Sequence, residues 1–360
     1  MHYQYIFGLL SAAAVKAAIV SLQKWSRENA GEPLCFVICS AGGDPFAGYA
    51  LIDFINTLKR SGHEVTTWGV GKLAGNALAV FAAGDRRVLA PHTFVQFSQG
   101  SPQGQVGGLS QLRATRAMAS GHSRHHGQLL LASGFPDRLM QKNRCFTASE
   151  LVEEGFAHEV GDCISFAAKS AATDVVRSLE LNLSLFEAVS EKETYQIYKA
   201  VLDACQSQVG AIKSLNLLIF SEGGDCGSAY AIFDLLQALA RFQVQVTTWG
   251  LGLIASAGLT VFQGGARRVL GSNTWLMFHE VSNVGEFHSS EDLEEYSANM
   301  EQHQALTMQI LAERTRQNQG QLLALVESGR ENWLSAPLAL ERGFADALDQ
   351  TLPVDFGQLP

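Results

Sequence analysis

Charged residues are scarce in this chain, and basic ones are scarcer than acidic ones. Only 17% of the 360 residues are charged, against 47% hydrophobic, and the formal net charge at pH 7 is −9. The hydrophobic content excludes a disordered chain. The acidic balance argues against nucleic acid or an anionic membrane as the partner, since both need a basic face. A chain of this length and composition is expected to form two well-buried domains.

The sequence also has no paired cysteines and no membrane-spanning run, and its N-terminal run is not expected to be a leader peptide. The six cysteines include no CxxC pair and lie mostly in apolar runs, which predicts reduced, buried thiols and a cytoplasmic location. The apolar N-terminal run has no basic residue before it and contains Lys16. It therefore predicts a strand followed by an amphipathic helix, not a signal peptide. No run is long and apolar enough to span a bilayer.

What the sequence does contain is an internal repeat. The stretch "CSAGGDPFAGYALIDFI" matches "FSEGGDCGSAYAIFDLL", and "VTTWGVG" matches "VTTWGLG". Both blocks recur after 181 positions, the separation of Gly43 and Gly224. A later block, "TASELVEEGFA", recurs as "SAPLALERGFA" after 188 positions. A constant register over successive blocks indicates a tandem duplication. We predict two domains, 1–172 and 173–360.

Each copy alternates short β-branched runs with helical segments, as in "LCFVICS" followed by "FAGYALIDFINTLKRSG". This alternation is typical of repeated βαβ units around a largely parallel sheet, so both domains are expected to be α/β. The glycine pairs Gly42–Gly43 and Gly223–Gly224 lie between a predicted strand and a predicted helix. Backbone N–H groups there can approach a ligand closely.

Candidate catalytic residues occur in the second copy. Ser256 opens a predicted helix, His279 ends the predicted strand "NTWLMFHEV", and Glu331 lies in "GRENWLSA". These are the parts of a nucleophilic triad, in which histidine takes the serine proton and the carboxylate fixes the histidine tautomer. A serine at the start of a helix is also an ordinary cap. Spacing alone leaves both interpretations open.

Four blocks in a fixed order are more specific. The blocks "FSEGGDCGSAYAIFDLL", "GLGLIASAG", "MFHE" and "WLSAPLALERGFAD" together resemble the proteolytic subunit of the Clp protease, and the resemblance covers essentially the whole chain, twice. It implies two tandem α/β domains of the ClpP/crotonase-like fold. It also implies a cofactor-free serine endopeptidase that hydrolyses peptides or unfolded proteins through an acyl-enzyme on Ser256, with His279 as general base. The N–H groups of Gly224 and Ala257 are implied as the oxyanion hole.

The acid position departs from the family pattern. The family aspartate precedes an Arg-aromatic-Leu-Ser-Ala stretch, which here reads "ENWLSA". Glu331 therefore takes the aspartate position, and Asn332 stands where arginine is usual. We predict Glu331 as the third triad member because a charged acceptor stabilises the imidazolium better. Asn332 is the alternative.

The first copy lacks this chemistry at every equivalent position. The serine position is Gly75, the histidine position is Ser98, and the acid position is Asn143. Three losses leave no nucleophile, base or orienting group. Domain 1–172 is therefore predicted to be catalytically degenerate, although it could still bind peptide or complete an assembly.

The resemblance also implies an assembly. Subunits of the family form seven-membered rings stacked in pairs, and two unlike domains cannot alternate around an odd ring. We expect a homo-oligomer with one domain in each of two stacked rings, or smaller rings with an even number of domains. The chain begins almost at its first predicted strand, so we expect weak or absent coupling to an ATP-driven unfoldase.

Three alternatives remain open. Crotonase-type enzymes share the fold and an oxyanion hole but act on acyl-coenzyme A thioesters. A non-catalytic scaffold or regulatory subunit could retain Ser256 and His279 as remnants. Finally, His122, His125 and His126 have the i, i+3, i+4 spacing of a metal site on one helix face. Because no acid or thiol accompanies them, we predict a polar surface helix and no metal.

Overall fold

The computed structural model describes residues 1–97, 120, 123–140, 145–164, 179–206, 212–282 and 290–349. The chain divides into two compact units, Met1–Cys163 and Ile164–Pro360. The domain boundary predicted near residue 172 lies outside the described residues, so its position stays a prediction. No helix in the described ranges is long and apolar enough to cross a membrane.

The first unit alternates strands and helices along the chain, as the sequence predicts. Its elements are β1 (His2–Phe7), α1 (Ala12–Glu28), β2 (Leu34–Ser40), α2 (Pro45–Arg60), β3 (Val65–Ala74), α3 (Asn76–Ala82), β4 (Arg86–Leu89), β5 (Phe94–Gln96), α4 (123–132), α5 (Asp137–Met140), β6 (Cys145–Phe146), α6 (Ala148–Glu153) and β7 (Glu159–Val160).

The second unit repeats this order with a longer helix before its last strands. Its elements are β8 (Leu179–Leu185), α7 (Glu191–Gln206), β9 (Ile212–Ser221), α8 (Cys226–Arg241), β10 (Gln245–Ala255), α9 (Ala257–Phe262), β11 (Arg267–Gly271), β12 (Trp275–Phe278), α10 (Ser290–Arg314), α11 (Gln319–Val326), β13 (Asn332–Ser335), α12 (Ala336–Glu341) and β14 (Ala347–Asp349).

Each unit is built on one seven-stranded sheet, and the two sheets have the same topology. In the first, β1, β2, β3, β4 and β7 are parallel neighbours in that order, and β5 pairs with both β3 and β6. In the second, β8, β9, β10, β11 and β14 follow the same order, and β12 pairs with both β10 and β13. Only β5–β6 and β12–β13 are antiparallel among the described pairings. The prediction of two tandem α/β domains is confirmed.

The central strands are mostly buried because helices cover both faces of a parallel sheet. All seven residues of β2 are buried. Trp68 and Trp249 occupy equivalent places in β3 and β10, and both are buried, as expected of core residues. The helices present one apolar stripe to this core: in α2 it consists of Leu51, Ile55 and Leu58. Each such side chain contributes about 1.5–3 kcal/mol of burial free energy.

A bend in β10 positions the chemistry. Its first half pairs with β11 through Gly250, and its last three residues pair with β12 instead. Gly252 lies between the two halves with φ of 61°, a conformation that favours glycine. The end of β10 is thereby turned toward β12, where His279 follows. In β3, Gly71 has the same φ of 61° and the same change of partner occurs.

Candidate active site

Ser256 lies at the turn between β10 and α9 in a conformation unusual for a side chain. Its φ and ψ are 51° and −124°, a region that costs a non-glycine residue about 1–3 kcal/mol. It occupies the N-cap position of α9, but its side chain makes no capping hydrogen bond. The ordinary role of a helix-capping serine therefore does not account for this hydroxyl.

The Ser256 hydroxyl instead lies 3.0 Å from Nε2 of His279. The bend in β10 sets Ala255 against Met277 of β12, and the Ser256 N–H donates to the Met277 carbonyl at 2.9 Å. These bonds fix the serine beside the end of β12. Both side chains are half-buried. A serine that can donate to a neutral imidazole is the arrangement from which a base can activate a nucleophile.

The glycine pair presents a backbone N–H to the same place. Val189 donates its N–H to the Gly223 carbonyl at 2.7 Å and accepts the Asp225 N–H at 2.8 Å. In a parallel pairing these bonds flank the intervening residue, so the N–H of Gly224 points away from Val189. Ala257 is the first residue of α9, and the N–H of a first helical residue has no acceptor within its helix. Both N–H groups are available to an oxyanion.

Only glycine fits beside the serine at position 223. Gly223 has φ of 117°, and a Cβ built there would lie 2.7 Å from the Cβ of Ser256. At Gly224 a Cβ would lie 2.2 Å from the Val189 carbonyl oxygen. The pair is therefore required for the close approach of three segments.

One cavity gathers these groups. Gly224, Ser256, Ala257 and His279 all line it, and its remaining wall is largely apolar. That wall is formed by Cys226, Thr260, Phe278, Val281, Ser282, Thr307, Met308 and Leu311. A carbonyl group bound here would lie between the serine, the histidine and two N–H donors, beside a largely apolar wall.

Helix α10 supplies part of this wall and is anchored by a tyrosine that the sequence analysis missed. The Tyr230 hydroxyl lies 2.8 Å from Oγ1 of Thr307 and donates to the His303 carbonyl at 3.0 Å. Burial raises the pKa of Tyr230 well above its usual value, so the phenol stays neutral. No sequence pattern predicts the hydrogen-bond partner of a tyrosine that is buried among apolar residues.

The predicted third triad member, Glu331, makes no hydrogen bond to His279 within the described part of the chain. Phe278 is paired with Asn332 in the antiparallel β12–β13 ladder, and one further step of that register sets Glu331 against His279. The exposed Glu331 carboxylate accepts a hydrogen bond from Nε1 of Trp333 at 3.0 Å. The Asn332 amide donates to the Arg330 carbonyl at 3.1 Å. The choice between Glu331 and Asn332 stays a prediction.

The first unit retains the backbone of this site. Gly75 precedes α3 with φ and ψ of 51° and −138°, almost those of Ser256. Leu10 holds its glycine pair as Val189 holds the other, through bonds to the Gly42 carbonyl and the Asp44 N–H. The other two degenerate positions, Ser98 and Asn143, lie outside the described residues.

Two polar side chains fill the first unit where the second has its cavity. Asn76, at the position of Ala257, is buried and donates to the Asp44 carbonyl at 2.7 Å. His126, at the position of Thr307, is 9% exposed and stacks on Phe97. Burial lowers the pKa of His126 to about 4, and the nearby His125 adds to the effect.

The polar surface helix predicted around the histidine cluster is therefore wrong for His126. Its neighbour His125 is exposed and meets the ring of Tyr49 edge-on, and His122 lies outside the described residues. Within the described ranges no three His, Cys, Asp or Glu side chains converge as a metal site. The i, i+4 spacing could not distinguish a ligand pair from one histidine turned inward.

Comparisons with known proteins agree with this geometry. The sequence profile of the family described as Clp protease matches residues 10–163 and 168–351. The ATP-dependent Clp protease proteolytic subunit 2 of Rhodococcus jostii (strain RHA1) is 31% identical over 136 residues, which are 37% of this chain and 67% of that protein. The subunit of the same name from Treponema pallidum (strain Nichols) is 26% identical over 203 residues, which are 55% of this chain and 94% of that protein.

Among solved structures, a mutant ClpP1 from Listeria monocytogenes is 19% identical with a TM-score of 0.40, and the match covers 47% of this chain and 91% of that one. The profile match is the decisive comparison, because it finds the family twice, once in each half of the chain. The chain belongs to the Clp protease family.

Proposed function

We propose that the second domain is a serine endopeptidase and that the first is its degenerate copy. The observation that carries this proposal is the 3.0 Å contact between the Ser256 hydroxyl and Nε2 of His279, beside the N–H groups of Gly224 and Ala257. A nucleophile, a base and two oxyanion donors in one cavity are the parts needed for acyl transfer.

In the proposed mechanism, His279 removes the Ser256 proton as the oxygen attacks the scissile carbonyl carbon. The negative charge that develops on the carbonyl oxygen is held by the N–H groups of Gly224 and Ala257, and each such donor is worth about 3–4 kcal/mol in the transition state. The imidazolium then gives its proton to the leaving amine, and an acyl-enzyme forms on Ser256. Water activated by the same histidine hydrolyses the ester.

Glu331 is proposed to orient His279 and stabilise the imidazolium. The β12–β13 register supports this assignment, because it brings Glu331 to the strand end from which His279 projects. To act, the carboxylate must leave Trp333 and reach Nδ1 of His279. Asn332 would instead serve as a neutral acceptor for the same proton.

The proposed substrate is a peptide or an unfolded protein, with an apolar side chain in the cavity. Phe278, Met308 and Leu311 support that preference, because they line the cavity beside the two reacting groups. We further propose a homo-oligomer in rings, in the cytoplasm.

A fluorophosphonate probe tests the proposal directly. It should label the assembled wild-type protein once per chain, at Ser256, and should not label Ser256→Gly. This variant is the matched control because the first unit already holds glycine in the same backbone conformation. Peptide hydrolysis should fall by about a thousandfold or more in the variant.

Two outcomes would favour the alternative functions, a scaffold or a crotonase-type enzyme. A wild-type protein that assembles, as judged by native mass spectrometry, yet stays unlabelled is a scaffold with a remnant site. Binding of an acyl-coenzyme A together with unchanged turnover of it in Ser256→Gly would indicate a crotonase-type enzyme, which needs the oxyanion hole and not the serine.

A further inference from the structure

The first unit has a cavity of its own beside the C-terminal part of α3, the helix that Gly75 precedes. Its volume is about 500 Å³, within the range of small-molecule sites. It lies where α2, α3 and α4 end and β4 begins. Its lining consists of Ile52, Asn56, Lys59, Ala79, Ala82, Ala83, Gly84, Asp85, Arg87, Leu129, Ala132, Ser133 and His158.

In the second unit an arginine fills the equivalent space. Arg314, at the end of α10, donates from Nε to the Gln263 carbonyl at 2.9 Å and from Nη2 to the Gly265 carbonyl at 2.6 Å. In the first unit the residue 181 positions earlier is Ser133. The carbonyls of Arg314 and Ser133 both accept from Nη1 of the equivalent arginine, Arg268 or Arg87, which establishes the match. The cavity includes the space that this side chain occupies in the second unit, since Ala82 and Gly84, the equivalents of Gln263 and Gly265, line it.

The arginine at the base of the cavity has also lost its carboxylate. In the second unit Arg268 makes a two-point bond to Asp346, with Nε 3.0 Å from Oδ2 and Nη2 2.7 Å from Oδ1. In the first unit His158 stands at the position of Asp346 and keeps its backbone bond, since its N–H donates to the Arg87 carbonyl at 2.9 Å. The side chain at this position is therefore a carboxylate that accepts from arginine in the second unit and an imidazole in the first.

The replacement of the Asp346 carboxylate by the His158 imidazole leaves two hydrogen-bond donors, one on His158 and one on Arg87, facing each other. Nδ1 of His158 accepts the backbone N–H of Arg87 at 2.8 Å, so the proton of the neutral ring is on Nε2. Nε2 then lies 3.4 Å from Nη2 of Arg87, which can only donate. Nε of Arg87 is buried with no hydrogen-bond partner in the described part of the chain. Burial and the nearby Arg87 lower the pKa of His158, which keeps the ring neutral at pH 7.

The charge around the cavity also favours the binding of an anion. Lys59 forms an ion pair with Asp85 at 2.8 Å and donates to the Ala83 carbonyl at 3.0 Å. These two charges compensate each other, whereas Arg87 has no carboxylate partner among the described residues. Apart from His158, the uncharged part of the wall is mostly apolar and includes Ile52 and Leu129, with Asn56 and Ser133 as its polar members.

We propose that this cavity of the inactive domain is a binding site for a small organic carboxylate, whose headgroup accepts from Nη2 of Arg87 and Nε2 of His158 while its apolar body packs on Ile52 and Leu129. The ligand carboxylate takes the role that Asp346 has in the second unit. The site is independent of the proposed peptidase chemistry, since no residue of that chemistry lines it.

Benzoate and its neutral isostere benzamide test the site on the full chain. Isothermal titration calorimetry should show one benzoate bound per chain, with benzamide at least about tenfold weaker because it cannot form charge-assisted bonds to Arg87. Inorganic phosphate should bind more weakly than benzoate, since it lacks the apolar body. Equal affinity for benzoate and benzamide, or no binding of benzoate, overturns the proposal.

Two variants that restore the second-unit residues sharpen the test. His158→Asp gives Arg87 an internal carboxylate, and Ser133→Arg returns a guanidinium to the cavity; each should abolish benzoate binding. Labelling of Ser256 reports separately on the second unit and should be unchanged. Retention of benzoate binding by either folded variant overturns the proposal. If neither variant folds, the comparison of benzoate with benzamide on the wild-type protein decides it.

Discussion

The two units have nearly the same backbone but different side chains at the candidate site. Ser256 and Gly75 share φ of 51°, both follow a strand bent at a glycine, and both lie beside a glycine pair held by one residue of a neighbouring segment. The main chain of the candidate oxyanion hole is therefore a property of the fold and persists without a nucleophile. What differs is a small set of side chains.

The first unit has also rebuilt the space around its lost site. Asn76 and His126 fill the region where the second unit is open, while Ser133 and His158 open a region where the second unit is filled. Loss of one cavity and gain of another within the same fold suggest a change of role for the first domain, not simple decay.

After removal of Ser256 itself, the largest expected effect comes from the glycine pair, where substitution in each unit distinguishes a catalytic from a structural role. Gly223→Ala should reduce peptide hydrolysis by about a hundredfold, because its Cβ would displace Ser256 from His279. Gly42→Ala is the matched control, with a Cβ 2.9 Å from Oδ1 of Asn76. Both variants should lose about 1–3 kcal/mol of stability by thermal unfolding. An equal loss of hydrolysis in the two would refute the assignment of catalysis to the second unit.

Acid should destabilise the first unit before the second. The pKa of His126 is about 4 in the folded protein and about 6.5 in an unfolded chain. The unfolded chain therefore takes up the proton first, and stability falls as the pH drops from about 6.5 to 4, by about 3 kcal/mol in total. Thr307, the equivalent residue, does not titrate.

Amide hydrogen exchange resolved by domain, at pH 7 and pH 5, measures this difference. Protection in the first unit should fall by about 2 kcal/mol through His126, and His126→Phe should remove that part of the fall, leaving the smaller loss that His158 contributes through its lowered pKa. In the second unit burial opposes ionisation of Asp346, but hydrogen bonds from Arg268 prevail and its pKa is lowered. Its contribution to stability is lost only at more acidic pH. Parallel loss in both units would contradict the assignment to His126.

The smallest expected effect concerns Glu331, the proposed third triad member. Trp333→Phe removes the indole donor that holds the Glu331 carboxylate and should raise kcat about fivefold, the population shift that one hydrogen bond of about 1 kcal/mol allows. Trp275→Phe, an exposed tryptophan on the adjacent strand, is the control and should leave kcat unchanged. If Trp333→Phe has no effect while Asn332→Ala lowers kcat, Asn332 is the orienting residue.

The fold and the candidate pair Ser256–His279 could be predicted from the sequence because a repeat and a fixed order of motifs constrain them. The bend at Gly252 and the conformation of Ser256 could not, since they follow from sheet pairing. His126 was misjudged because a polar residue in a polar segment gives no sign that it turns inward. The sequence also could not reveal the hydrogen bond between Trp333 and Glu331, because it depends on side-chain orientation at a strand end.

The conformation of Ser256 has a consequence for the history of such duplicated chains. A serine held at positive φ is under strain, and glycine relieves it. Once one copy is freed from catalysis, replacement of its serine by glycine is thermodynamically downhill, while the reverse change must both restore the strain and recover a base. Replacement of the serine by glycine is therefore easier than its reversal, and Gly75 is the residue that such a replacement leaves.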